Sequence, residues 1–125
     1  MNDLSSPFAS RDAQSNIINN PDIPTSEKFS DPIEEQNHRK KRLVVSLKLF
    51  SSFGFDEGVA GHITVRDPID HESFWVNPFG IHFSEVGITD LIRVTHDGKI
   101  VEGTNPVNAA AFAIHSRIHM AHPNI

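Results

Sequence analysis

The chain has 125 residues, 38% of them apolar and 22% charged, with 16 acidic against 11 basic side chains and a formal net charge of −5. That size allows one small domain, and no apolar run approaches the roughly 18 to 20 residues needed to cross a bilayer. Met1–Ser10 lacks the basic start and apolar block of a signal peptide, so a cytoplasmic protein without a membrane span is expected. Zero cysteines exclude disulfides, thiolate zinc sites and thiol nucleophiles, which leaves metal chemistry to histidine and carboxylates. The acidic balance argues against nucleic acid as a partner.

Residues 1–30 are poor in apolar side chains, rich in Ser, Asn and Asp, and punctuated by Pro7, Pro21 and Pro24. This composition predicts a disordered tail, in which Ile17–Ile18 is only a weak docking motif. The domain is expected over residues 31–125. Asp31-Pro32-Ile33-Glu34 has the acid, the first-position proline and the glutamate of a capping box. Leu43, Val44, Leu47 and Phe50 then recur at helical spacing, and Gly54 supplies a left-handed stop. A helix from Asp31 to Phe53 follows, whose basic run His38-Arg39-Lys40-Lys41-Arg42 reads as a solvated face paired with Glu34 and Glu35.

Gly58 to Gly61 form a glycine-bracketed turn into a strand in which Ile63 and Val65 point one way and Thr64 and Arg66 the other. A second strand, Ser73–Asn77, closes at Pro78-Phe79-Gly80. Thr89-Asp90-Leu91-Ile92 leads into a hairpin turned by Asp97-Gly98, a pair suited to positive φ. The last helix is expected to open at Asn105-Pro106, to place Ala110, Ala111, Ile114, Ile118 and Ala121 on its apolar face, and to end near His122-Pro123. Helix, four short strands and helix make an α+β layer in which an antiparallel sheet buries one face under helices.

Eight histidines lie between His38 and His122. His115, His119 and His122 could share a helix face, and helical histidines four apart can chelate a metal. No acid lies on that helix, however, so hydrogen-bonded core imidazoles are expected instead. The glycine turns and the last helix start offer backbone N–H groups to an anion, although glycines beside strands usually mark turns alone. Trp75 and the nine phenylalanines are expected in the core.

Taken in order, Gly61-His62-Ile63-Thr64-Val65-Arg66, Val76-Asn77-Pro78-Phe79-Gly80, Asp97 to Gly103, Ile114-His115 and Ala121-His122-Pro123-Asn124-Ile125 resemble the class II aldolase/adducin family, from about Ile33 to the last residue. The resemblance implies a three-layer α/β/α fold with an antiparallel-rich sheet, of which the front portion is present, and assembly as a homo-oligomer. It also implies that Gly61, His62, Phe79 and Gly80 occupy a vestigial substrate-binding site. Phosphate-binding members carry asparagine at His62, serine at Phe79, a serine pair at Ala109 and Ala110, and a proton-transferring glutamate at Ala111. Without these side chains an aldolase on sugar phosphates is not expected, and no catalytic residue is assigned.

The family's metal ligands, a His-X-His pair and a later histidine, would follow the last residue. No metal or other cofactor is therefore expected in this chain, while a longer parent could hold a divalent, zinc-like metal. The pattern is similar to the adducin-type branch. It implies a module for self-association or for actin or spectrin binding, expected here as a fragment without activity of its own, with a metal-dependent lyase or aldolase-type enzyme acting on a small non-phosphorylated carbonyl compound in a full-length parent as the alternative.

Overall fold

The computed structural model describes residues 27–125; the predicted tail, Ile17–Ile18 included, lies outside them except for its last four residues. Those four lead into the first helix, with the Phe29 ring 4.8 Å from that of His38 and Glu27 2.8 Å from His38 Nε2.

Helix α1 spans Pro32–Ser52 and is capped by Asp31, whose carboxylate accepts from the Ile33 N–H. Gly54 follows at φ 77°, the left-handed position that ends a helix without steric cost. Strands β1 (Thr64–Arg66), β2 (Ser73–Val76), β3 (Ile92–Thr95) and β4 (Ile100–Glu102) form an antiparallel meander in that order, with a short 3₁₀ turn, Ile88–Asp90, before β3. Gly98, at φ 92°, turns the β3–β4 hairpin as Asp-Gly predicts, and Thr95 N–H closes it on the Lys99 carbonyl.

Helix α2 covers Ala109–Ala121 and is capped by Asn108, not by the expected Asn105. Asn108 Oδ1 accepts from the N–H groups of Ala110 and Ala111. Asn105 instead donates to the Asp90 carbonyl, so the residues between Pro106 and Asn108 form a link and not a first turn.

All four residues of β2 are buried because both faces of the sheet are covered, where sequence patterning alone suggested one. On one side Leu43, Val44 and Leu47 of α1 pack with Trp75, Phe83, Val86 and Leu91. On the other, Phe74, Val76, Ile92 and Val94 pack with Ala111. The three layers implied by the resemblance are therefore present. Phe50, Phe53, Phe55 and Phe79 depart from the expected core and are exposed.

The basic run also departs from a purely solvated face. Arg39 binds Glu35 and the Arg66 carbonyl, and Lys40 Nζ sits 4.0 Å over the Trp75 ring. Their long apolar stems let these side chains reach from the helix to the sheet, while Lys41 and Arg42 remain exposed. Among the described residues no helix is long and apolar enough to cross a membrane.

Candidate functional site

Three segments distant in sequence converge at the N-terminal end of α2. Asn77, just past β2, accepts from the Ile63 N–H and donates to the Gly61 carbonyl, which fixes the turn before β1. Asn108 Nδ2 donates to the Ala60 carbonyl, and the Phe79 N–H donates to that of Pro106. The fold thus gathers Gly61, His62, Phe79, Gly80 and the Ala109–Ala111 start of α2, the positions singled out in the sequence.

The same bonds consume donors that an anion would need. The N–H groups of Ile63, Phe79, Ala110 and Ala111 are all taken by protein acceptors. Phe79 presents its ring outward, and Gly80 turns at φ 89°. Gly61 is required by close approach: a Cβ there would lie 2.8 Å from the Phe83 ring tip. Ala111 is fully buried among Phe74, Val76, Ile92 and Val94, so the carboxylate position of the resemblance is an apolar contact.

What the site does contain is a chain of imidazoles. His62 Nδ1 lies 2.8 Å from His115 Nε2. His115 Nδ1 lies 2.8 Å from Thr64 Oγ1, which in turn is 3.0 Å from His119 Nε2. Thr64 can join them because it shares with Val76 and Ile92 the face of the sheet that α2 covers. His119 stacks 5.1 Å from Phe74 and lies nearly parallel to His96 at 6.2 Å.

Burial lowers the affinity of His115 for a proton, and the neighbouring His62 lowers it further. His119 is pushed down to about 4 by burial first, then by Arg66, His115 and His96. Both imidazoles are therefore neutral at pH 7.

Arg66 is buried under the end of α2 and donates to the carbonyls of His71, His119, His122 and Ile125. Its charge sits at the negative end of the helix dipole. On the opposite face, the fully buried Asp67 accepts from Trp75 Nε1, Gln36 Nε2 and the N–H groups of Ile69 and Asp70.

Among the described residues no three histidine or carboxylate side chains are placed to hold one ion; His115 and His119 turn to Thr64 while the His122 carbonyl accepts from Arg66. His82 is engaged by Asp56 and Ser84. Sequence reasoning missed Thr64, His96 and Asn108; the period-two alternation that put Thr64 and Arg66 on one face was the available signal.

Residues 41–125 match the family described as Class II Aldolase and Adducin N-terminal domain. The chain belongs to this family. It is 37% identical over 100 residues to the Meiotically up-regulated gene 14 protein of Schizosaccharomyces pombe, covering 75% of this chain and 39% of that one. It is 43% identical over 99 residues to Decarboxylase NovR of Streptomyces niveus, covering 78% and 37%. With alpha-adducin of Rattus norvegicus the identity is 37% over 86 residues, covering 66% and 12%. The structure of an L-fuculose 1-phosphate aldolase from Glaciozyma antarctica PI12 superposes with a TM-score of 0.75 at 43% identity, covering 79% of this chain and 41% of that one. The chain spans about two fifths or less of the length of each.

Proposed function

We propose that this class II aldolase/adducin domain is a non-aldolase assembly module of the cytoplasm, which associates with copies of itself or with cytoskeletal partners of the actin and spectrin type. The observation that carries this reading is Ala111, a methyl group fully buried in the apolar cluster where the resemblance puts the proton-transferring carboxylate. No side chain there can abstract or return a proton. Phe79, exposed where a phosphate-binding hydroxyl would stand, and the consumed N–H groups of Phe79, Ala110 and Ala111 support it. The likeness to alpha-adducin agrees with this role.

The test has two arms. The purified chain is expected to release no aldehyde from L-fuculose 1-phosphate above the buffer rate, and to pellet with filamentous actin or spectrin. Turnover of the sugar phosphate, or a chain that stays in the supernatant and is monomeric at every concentration, overturns the proposal.

His62 favours a second reading. Its half-buried ring is held by His115 where the resemblance puts a substrate site, and one relative at 43% identity is named a decarboxylase. In this reading a longer parent is a metal-dependent lyase acting on a small non-phosphorylated carbonyl compound, with His62 carrying the proton and the metal held by residues beyond those described. His62→Asn in the parent would then lower kcat by about 10²-fold or more; an unchanged rate rejects it.

A further inference from the structure

We propose that His62, His115, Thr64 and His119 form a proton relay that runs beneath α2 and joins the His62 edge to a recess beside His96. The inference goes beyond either functional reading, since it concerns how protons move inside the site whatever the site binds.

The argument starts from valence. A neutral imidazole has one N–H and one bare nitrogen, and a hydroxyl has one hydrogen to give. Three consecutive contacts of 2.8, 2.8 and 3.0 Å link these groups in single file. Thr64 can donate to only one of its two imidazoles and must accept from the other. Every link is then satisfied in only two ways.

In the first, His62 Nδ1–H donates to His115 Nε2, His115 Nδ1–H donates to Thr64 Oγ1, and the Thr64 hydroxyl donates to His119 Nε2, leaving the His119 proton on Nδ1. In the second, all directions reverse and the three imidazoles carry their protons on Nε2. Passing from the first to the second takes one proton in at His62 Nε2. It shifts one proton across each link and releases one from His119 Nδ1, so the net charge is unchanged.

The ends of the chain suit this role. His62 is half-buried, and its Nε2 makes no hydrogen bond to the described residues. His119 Nδ1 is buried and unpartnered, as are both ring nitrogens of His96. Both rings border a recess of about 160 Å³, which has room for water and is also lined by Arg66, His71, Glu72, Met120 and Pro123. The exposed Glu72 carboxylate, 3.7 Å from His96 Nδ1, offers the way out to solvent. Of the charged groups facing the chain, the Arg66 guanidinium spends its donors on four carbonyls and so is fixed. It disfavours a trapped imidazolium, and a proton entering at one end is better released at the other.

Nitrogen-15 NMR of the full chain, which reads the tautomer of each imidazole, tests the proposal. His62, His115 and His119 are expected to share one tautomer at neutral pH. Across a pH series any change of tautomer at His62 is expected to be matched at His119, with one midpoint for both. Thr64→Val removes the shared hydroxyl and should abolish that response at His119, and Thr64→Ser should restore it. Mixed tautomers in the wild-type chain overturn the relay, as does a change of tautomer at one end of the chain alone. The wild-type measurement decides the matter even where the valine variant does not fold.

Discussion

Asp67 is a full negative charge in the interior, and its surroundings explain why it is tolerated. Burial alone would raise its proton affinity, but hydrogen bonds from Asp70, Gln36, Trp75 and Ile69 outweigh that and hold the carboxyl below its ordinary value. Asp67→Asn keeps the shape but turns an amide toward donors, leaving part of the set unpaired. It is expected to cost about 2 to 3 kcal/mol, read as a lower urea midpoint at neutral pH. Because the native value is depressed, the contribution of Asp67 is complete above the unfolded carboxyl value of about 3.9 and is lost as pH falls through the native one. In the sequence Asp67 is marked by nothing but the proline that follows it. Four donors from residues 36 to 75 converge on it only once α1 lies on the sheet.

At the scale of elements, α2 is attached to the sheet by imidazoles more than by aliphatic packing. Its buried residues are Ala111, Ser116 and His119, with His115 half-buried beside them. His119 is neutral in the folded chain down to about pH 4, whereas an unfolded histidine binds its proton near 6.5. Between those values the unfolded state carries more protons, so stability rises with pH across that window and is lost on acidification. Urea midpoints measured from pH 4 to 7 should therefore climb, and His119→Phe should flatten the profile.

The same helix shows where sequence patterning stops. Both helices, all four strands and the Asp-Gly hairpin are legible in periodicity and turn chemistry, because those signals are local. The face that α2 buries is not. Ile114 and Ile118 are about half and two fifths exposed although their spacing marked a core face, because periodicity shows that an apolar stripe exists and not which layer covers it. The Asn105 cap failed for a related reason: Asn105 and Asn108 are equivalent as residue types, and only the link through Phe79 and Pro106 selects the second. Likewise Gly61, Phe79 and the start of α2 could be named from their motifs, but the histidine chain between them required the register that puts Thr64 opposite Val76.

For the whole molecule, the outer surface of α2 presents Ile114 and Ile118, and the far end of α1 presents Leu49, Phe50, Phe53 and Phe55. Apolar groups clustered in this way mark contact surfaces. Under the proposed assembly role, Ile114→Lys with Ile118→Lys should weaken self-association by about tenfold or more, since each buried isoleucine contributes about 1.5 to 3 kcal/mol. Sedimentation velocity over a concentration series measures this, with circular dichroism confirming that α2 remains folded. Arg66 bears on the same helix from beneath. Its guanidinium is spent on the carbonyls that close α2, while its own carbonyl accepts from Arg39 of α1, so the Arg66–Asp67 peptide bond, a trypsin site by sequence, is hidden from the protease until both helices leave β1. The chain thereby carries its own latch indicator, and the appearance of that one cut reports how often both helical layers come off the sheet together.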